Sequence, residues 1–300
     1  MSEPLKKQLS ALSTEGPNPR TADLDLLDTE GMLRIMNAED RSVAGAVGAA
    51  VPSIARVVDL ATELMRKGGR LLYFGAGTSG RIGVLDASEC PPTFGTPPEL
   101  VRGIIAGGRN AMFDAVEGAE DDAALGRADV AREAVGPRDV VLALTASGRT
   151  PYALGVLEEG VQRGALTVAV ACNKGSAVAN RATVVLEVDT GEEVLSGSTR
   201  LKAGTAQKMI LNMISTGVMI RLGRTYGNLM VGVVATNAKL RERARRLVVT
   251  IAQTSEGVDR ALEASGYDVR VACVMLMKGV DVAEARARLA EAGGSLRGAL

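Results

Sequence analysis

Five short apolar runs alternate with helical segments through the middle of this 300-residue chain, and this alternation constrains the fold more than any other feature. Short, nearly continuous apolar runs are typical of parallel strands that are buried on both faces. A strand followed by a helix, repeated along the chain, predicts a doubly wound α/β fold with a five-stranded parallel sheet. The predicted strands cover residues 70–74, 101–106, 139–145, 166–171 and 183–188, and the helices between them cover 80–88, 109–134, 151–163 and 175–180.

The segments on either side of this alternation are polar or helical. Residues 1–22 are polar and contain three prolines, which predicts an arm, and helical patterns follow up to Lys67 with a break near Pro52. A long methionine-rich helix begins near Thr199, and methionine at this spacing is typical of a core or a subunit interface. Three later helical segments, 237–254, 255–265 and 281–292, predict a small bundle. We therefore expect an arm with helices at 1–50, a sheet domain at 51–224 and a helical domain at 225–300.

Histidine is absent from the chain, and this absence narrows the possible chemistry. It excludes a Ser-His-Asp triad, a Cys–His pair and a histidine-ligated metal. An enzyme with this sequence would move protons with carboxylates, or else with Lys, Tyr or Cys. Cys90, Cys172 and Cys273 are widely spaced and lack metal-ligand spacing, which favours buried thiols in a reducing cytoplasm and no bound metal.

Charge and composition give no support for a nucleic-acid or membrane partner. Lys plus Arg and Asp plus Glu both number 35, aromatic residues make up 2% and tryptophan is absent. The chain therefore lacks the basic excess and the stacking residues of nucleic-acid binding. No signal peptide is evident near the start, and no apolar stretch has membrane-spanning length, so we expect a cytoplasmic protein.

The glycine-rich string GAGTSGR follows the first predicted strand, at residues 75–81. It fits the G-x-G-x-x-G pattern of dinucleotide-binding turns, but the next strand ends in IIAGG, without the acidic residue that would hold a ribose, which counts against NAD. Thr78 and Ser79 offer hydroxyls, glycines such as Gly80 let a ligand approach the backbone, and the following helix presents free N–H groups to an anion. A tight strand-to-helix turn without a ligand explains this string equally well.

Two further hydroxyl-rich loops follow later strands. In LTASGRTPY, Thr145, Ser147 and Thr150 surround Gly148 at the predicted start of a helix. The string EEVLSGSTRLKAGT follows the last strand, and it adds the hydroxyls of Ser196, Ser198 and Thr199 and the cations Arg200 and Lys202. Loops after parallel strands lie at the carboxyl edge of the sheet, where ligands bind. Three such loops predict a site for a small phosphorylated ligand, and the lack of a Walker lysine loop disfavours a nucleoside triphosphate.

Two acidic strings supply candidate carboxylates. In DASECPPTFG, Glu89 ends the helix that starts at the first loop, and we expect a tight Cys90-Pro91-Pro92 turn to fix its backbone. The string DAVEGAEDDAA offers Glu117, Glu120, Asp121 and Asp122 as further candidates. For this second string the residues alone favour the acidic first turn of a helix over a catalytic site.

These strings resemble those of the sugar isomerase (SIS) domain proteins and, more closely, of the N-acetylmuramic acid 6-phosphate etherase family. The match runs from about residue 14 to 240, and LDASECPPTFG and VEGAED are its most specific parts. It implies an SIS-type, flavodoxin-like three-layer α/β/α fold with a small helical C-terminal domain. It also implies cleavage of the D-lactyl ether of N-acetylmuramic acid 6-phosphate, by elimination and then hydration, in cell-wall sugar recycling and without metal or nucleotide.

The resemblance also implies roles for individual residues. Glu89 would be the acid/base at the ether oxygen and Glu120 the second catalytic carboxylate, which we assign as the base at C2, although the division of these roles stays open. The expected ligand-binding residues are Ser147, Gly148 and Thr150 for the phosphate, Thr78, Ser79 and Gly80 for the sugar, and Ser196, Ser198 and Lys202 to close the site. The pairing habit of SIS domains implies a homodimer. The chain departs from the family pattern at Gly232, where an acidic residue is expected.

Two other functions are compatible with the same fold. One is a non-catalytic regulator that binds sugar phosphates, like the glucokinase regulatory protein, and the other is an aldose–ketose sugar-phosphate isomerase. The presence of Glu89 together with Glu120 favours an enzyme over a pure binder, which has no need of both carboxylates. An isomerase could use a glutamate base at C2 as well, but it would release no lactate.

Overall fold

The computed structural model describes residues 12–233, 235 and 237–300. These residues form two compact units. The first consists of the chain up to Ala87 together with Val101–Ile214, and the second consists of Ser88–Leu100 together with Ser215–Leu300. The domain boundaries that the sequence indicated, after residues 50 and 224, stay a prediction.

The first unit contains a parallel sheet of five strands, as the apolar runs predicted. The strands are β1 (Leu71–Gly75), β2 (Val101–Ile105), β3 (Val140–Leu144), β4 (Leu166–Ala171) and β5 (Val184–Glu187). Their spatial order is β2-β1-β3-β4-β5, with every neighbouring pair parallel. The chain crosses from one side of β1 to the other between β2 and β3. This reversal opens a crevice outside the carboxyl ends of β1 and β3, where doubly wound sheets bind their ligands.

Helices cover the sheet and flank it. They are α1 (Thr29–Ala49), α2 (Val51–Arg66), α3 (Gly77–Phe94), α4 (Ala123–Arg132), α5 (Pro151–Gln162) and α6 (Lys202–Arg221). All five residues of β1 and of β3 are buried, and the core on one side includes Phe74, Val141 and Val156. The hydroxyl of Tyr152 donates to Asp129 at 2.7 Å inside this core, and burial raises the pKa of Tyr152 far above its usual range.

The predicted break near Pro52 is confirmed as a bend of 57° between α1 and α2, with Pro52 in the first turn of α2. Proline is suited to that position because the first N–H groups of a helix have no intrahelical partner. Within the described residues, no single helix is long and apolar enough to cross a membrane. Of the described helices, only the bent pair of α1 and α2, taken together, has the length and composition of a broken span.

Some sequence predictions of local structure were wrong, including the helix expected at 175–180, where the structure has a 3-10 turn at Ala177–Arg181. The expected Cys90-Pro91-Pro92 turn does not form, because α3 continues through both prolines to Phe94. The expected helix at 109–134 is instead two short 3-10 turns, Arg109–Met112 and Ala119–Asp121, followed by α4. Gly118 interrupts any longer helix, since its φ of 76° lies in the left-handed region.

The second unit has its own core. Its elements are the two-stranded antiparallel pair β6 (Thr225–Tyr226) and β7 (Leu229–Met230), and the helices α7 (Ala238–Ala252), α8 (Val258–Ser265), α9 (Val269–Lys278), α10 (Val282–Glu291) and α11 (Leu296–Ala299). Helix α9 is the buried centre, with Val271, Cys273 and Val274 each no more than 2% exposed. A Cβ atom at Gly232 would lie 2.2 Å from the Phe94 carbonyl oxygen, so this position has no room for the acidic side chain expected there.

Gly103 in β2 allows α3 to lie directly on the sheet. A Cβ atom at this position would lie 2.4 Å from the Val84 Cα and 2.5 Å from its nitrogen, which are helix backbone atoms and cannot rotate away. We therefore expect Gly103→Ala to lower the free energy of unfolding by about 1–3 kcal/mol, the usual cost of overpacking. Urea unfolding of the variant measures this change.

Gly45→Ala is the matched control for that substitution. A Cβ atom at Gly45 in α1 would meet no atom within 4 Å, so alanine there should raise the stability by up to about 1 kcal/mol through its helix propensity. Equal stability changes for the two variants would contradict the close approach of α3 to β2.

Candidate active site

A cavity of about 610 Å³ lies at the carboxyl ends of β1 and β3, and all of its lining residues belong to the first unit. The loops after these two strands contribute most of its polar lining. The residues that matter for its chemistry are Glu15, Thr78, Ser79, Glu120, Asp121, Thr145, Ser147, Arg149, Thr150 and Thr199. The crevice predicted by the strand order and the hydroxyl loops predicted from the sequence therefore coincide.

The first loop combines a tight turn with two hydroxyls. A Cβ atom on Gly80 would lie 2.4 Å from the Gly75 carbonyl oxygen, and one on Gly75 would lie 2.7 Å from the Gly80 nitrogen. These two glycines therefore allow the start of α3 to approach the end of β1, and Gly80 is buried and does not line the cavity. Thr78 and Ser79, in the first turn of α3, do line it. The first and last glycines of the G-x-G-x-x-G pattern, Gly75 and Gly80, are therefore required because a larger side chain would clash. The groups that this loop presents to a ligand are the hydroxyls of Thr78 and Ser79.

The second loop brings three hydroxyls together at the start of α5. The Thr145 Oγ1 lies 2.8 Å from the Thr150 Oγ1 and 3.5 Å from the Ser147 Oγ, and it accepts a hydrogen bond of 3.1 Å from the Gly148 N–H. Gly148 has a φ of 73°, and a Cβ atom there would lie 2.3 Å from that of Ser176. Hydroxyls beside a helix N-terminus can bind an anion, because both the side chains and the helix N–H groups donate hydrogen bonds to it.

The acidic string divides between a structural and a cavity-facing part. The side chain of Asp122 caps α4 by accepting a hydrogen bond of 2.9 Å from the Leu125 N–H. Glu120 and Asp121 lie in the 3-10 turn before it, are exposed, and line the cavity. Capping of a helix start therefore explains Asp122 but not the other acidic residues of the string. Glu117 lines a smaller neighbouring cavity of about 240 Å³. Glu120 is the predicted catalytic carboxylate that the structure brings to the hydroxyl loops.

The N-terminal arm contributes to the same cavity, which sequence reasoning missed. Leu12 and Glu15 line it, and the arm is held against the third loop by two hydrogen bonds. The Ser196 hydroxyl donates to the Glu15 carbonyl at 2.9 Å, and the Gly197 N–H donates to the Thr14 carbonyl at 3.2 Å. Of the third loop, Gly197 and Thr199 line the cavity, whereas Ser196 and Ser198 do not. The string TEGPNPRTADLDLLDT, at residues 14–29, lies in the part of the chain that resembles the etherase family, but its pattern does not indicate this contact.

Lys202 is turned away from the cavity and lies in a buried charge cluster. Its side chain is 1% exposed, and its Nζ donates to the Glu39 Oε2 and to the Glu192 carbonyl, each at 3.0 Å. Hydrogen bonds from Arg20, Lys202 and Asn18 lower the pKa of Glu39 to about 2. Burial raises the pKa of Glu193, which accepts from the backbone N–H groups that begin α6. Lys202 therefore stabilises the third loop through Glu192, and it stabilises the arm through Glu39, which also binds Arg20.

Glu89 lies on α3, ten residues after Ser79, in the part of the helix that belongs to the second unit. It is exposed and is not among the residues that line the cavity of the first unit. The neighbouring Cys90 is buried.

Comparisons with known proteins agree with this fold and with the sequence motifs. Residues 53–161 match the glucokinase regulatory protein N-terminal SIS domain, and residues 125–216 match the SIS domain. A phosphoheptose isomerase from Francisella tularensis superposes with a TM-score of 0.51 over 64% of this chain and 97% of that chain. At 19% identity this likeness shows the fold alone. The predicted SIS-type fold is confirmed.

The full-length relatives are more specific. The N-acetylmuramic acid 6-phosphate etherase of Streptomyces coelicolor is 52% identical over 297 residues, which cover 99% of this chain and 96% of that protein. The protein of the same name from Pectobacterium atrosepticum is 52% identical over 293 residues, with 97% of each chain covered. Identity at this level over nearly the whole length means that the chain belongs to the N-acetylmuramic acid 6-phosphate etherase family.

Proposed function

We propose that the cavity at β1 and β3 is where this carbon–oxygen lyase cleaves the D-lactyl ether of N-acetylmuramic acid 6-phosphate, giving N-acetylglucosamine 6-phosphate and D-lactate. The observation that carries the proposal is the meeting of the hydroxyl loops with Glu120 in one cavity, in a chain of the etherase family. A volume of about 610 Å³ is within the usual range of small-molecule sites.

The 6-phosphate is assigned to the second loop. Thr145, Ser147 and Thr150 supply hydroxyl donors, and α5 starts beside them with its first N–H groups free of intrahelical partners. Gly148 provides the turn that brings these groups together. The sugar is assigned to the Thr78 and Ser79 side, which lines the same cavity.

The reaction is proposed as an elimination followed by an addition. In the open-chain sugar the aldehyde acidifies the C2 proton, Glu120 removes it, and Glu89 protonates the ether oxygen at C3 as lactate leaves. Water then adds at C3, and the deprotonated Glu89 acts as the base that activates this water. A proton returns to C2 in the same addition. Glu120 is supported by its place in the cavity. Glu89 does not line that cavity, and its role is supported by the family motif LDASECPPTFG alone. Each positioned proton transfer is worth about 10²–10⁴-fold in rate.

A homodimer in the cytoplasm is part of the same proposal. Exposed apolar side chains on α3 and α6, Leu85, Met213 and Ile220, support an association between copies. The N-terminal SIS match to a regulatory protein covers only residues 53–161, whereas the etherase relatives extend over the whole chain, so the enzyme is favoured over the regulator.

Incubation of the protein with N-acetylmuramic acid 6-phosphate, without added nucleotide, tests the function. We expect equal amounts of D-lactate and N-acetylglucosamine 6-phosphate. In ¹⁸O-labelled water the label should appear at C3 of the sugar and not in lactate, because elimination breaks the C3–oxygen bond. In D₂O the product should carry deuterium at C2.

Each alternative predicts a different result in this assay. An isomerase would form a ketose phosphate and no lactate, and a regulator would bind the sugar phosphate without turnover. Label in the lactate hydroxyl would mean direct displacement at the lactyl carbon, and it would contradict the elimination.

A further inference from the structure

We propose that Arg149 binds the carboxylate of the lactyl group and thereby distinguishes the substrate from its sugar product. This inference rests on the proposed function. Of the described residues that line the cavity, Arg149 is the one cation, whereas Glu15, Glu120 and Asp121 are carboxylates. The proposed substrate carries two anionic groups, the phosphate and the lactyl carboxylate, into a cavity with this excess of acidic residues.

The guanidinium of Arg149 has unused hydrogen-bonding capacity. Its Nε is buried and makes no hydrogen bond to any described residue. The backbone N–H of the same residue is bonded, because it donates to the Ser147 Oγ at 3.3 Å. Other partly buried arginines of the first unit differ from it: Arg70 donates to Asp139 at 2.7 Å and Arg163 to Glu159 at 2.6 Å. A buried donor without a partner is rare in native proteins, and at a cavity wall it indicates a group that a ligand satisfies.

The lactyl carboxylate fits Arg149 better than the phosphate does. The phosphate is already provided for by the hydroxyls of Thr145, Ser147 and Thr150 and by the start of α5. The lactyl carboxylate has no comparable set of neutral donors, and three acidic side chains of the lining repel it. A planar guanidinium matches a planar carboxylate with two parallel hydrogen bonds, which a lysine cannot do.

Kinetics of Arg149→Gln and Arg149→Lys test this assignment, with N-acetylglucosamine 6-phosphate as a competitive inhibitor. This product keeps the phosphate and lacks the carboxylate. We expect Arg149→Gln to raise KM for the substrate about 10- to 100-fold, the effect of losing a charged hydrogen-bonded pair. The inhibition constant of the product should stay within about twofold. The value of kcat should change little, because the contact exists before and during bond cleavage.

A conservative variant, a control variant and the wild-type assay make the result decisive. Arg149→Lys should recover part of the KM loss through charge alone, and Arg163→Gln, at the other end of α5, should leave KM unchanged. A parallel rise in the inhibition constant would mean that Arg149 binds the phosphate, and unchanged KM would mean that it binds neither group; both overturn the proposal. A wild-type protein that releases no D-lactate would instead reject the proposed function and, with it, this inference.

Discussion

Glu120→Gln should slow D-lactate release by about 10²–10⁴-fold while leaving the fold intact. Glutamine keeps the size of the side chain and can still form hydrogen bonds, but it cannot take up a proton. Because Glu120 is exposed in a 3-10 turn at the cavity, its substitution should change the melting temperature little. The measurement is kcat from a coupled D-lactate assay.

Asp122→Asn is the matched control for that variant. Asp122 is two residues away and carries the same charge, but it caps α4, and asparagine caps a helix about as well as aspartate. We expect it to retain close to the full rate. A Glu120→Gln enzyme that does the same would remove Glu120 from the mechanism.

Exchange of the C2 proton with D₂O separates the two catalytic roles. If Glu120 is the base at C2, Glu120→Gln should lose both exchange and lactate release. Glu89→Gln should lose lactate release and keep exchange into unreacted substrate, because removal of the C2 proton precedes protonation of the ether oxygen. The opposite pattern would reverse the assignment of Glu89 and Glu120.

Glu39→Gln should lower the free energy of unfolding by about 3–5 kcal/mol, the cost of leaving a buried charge without its partner. The ammonium of Lys202 is 1% exposed, and Glu39 is its carboxylate partner at 3.0 Å. Urea unfolding near neutral pH measures the change. The third loop and the arm are held by this cluster, so KM for the substrate should rise as well.

A double-mutant cycle separates the buried pair from other effects of Glu39→Gln. Adding Lys202→Met removes the unpaired charge, so the double variant should be more stable than the sum of the two single variants predicts. Glu30→Gln, in an exposed pair with Arg34 on the same helix, should cost under about 0.5 kcal/mol. Additive effects of the two substitutions would contradict a coupled pair.

The same carboxylate makes stability depend on acid pH. The pKa of Glu39 is about 2 in the folded protein against 4.5 for the free side chain, chiefly because of the hydrogen bond from Arg20. The unfolded chain binds more protons between these two values, so the stabilisation from Glu39 is complete above about pH 4.5 and is lost as the pH falls toward 2. Glu39→Gln should remove this part of the acid dependence.

The sequence by itself determined which segments form the sheet and which loops carry hydroxyls. A parallel strand buried on both faces must be apolar throughout, so β1 to β5 appear as short apolar runs with no need of tertiary information. The strings GAGTSGR and ASGRTPY follow such runs, and loops after parallel strands share one edge of the sheet. The same strings identified the family, since 52% identity preserves local motifs.

Only the tertiary structure decided which of those residues meet. Local patterns do not encode the order β2-β1-β3-β4-β5, which places the crevice, or the contact of Glu15 with the third loop. The family resemblance implies that Lys202 closes the ligand site, yet its ammonium donates a hydrogen bond to Glu39, 163 residues away. The reason is physical: periodicity along a chain reports how each segment is buried, whereas a charge pairs with whatever group the packing of distant segments brings beside it.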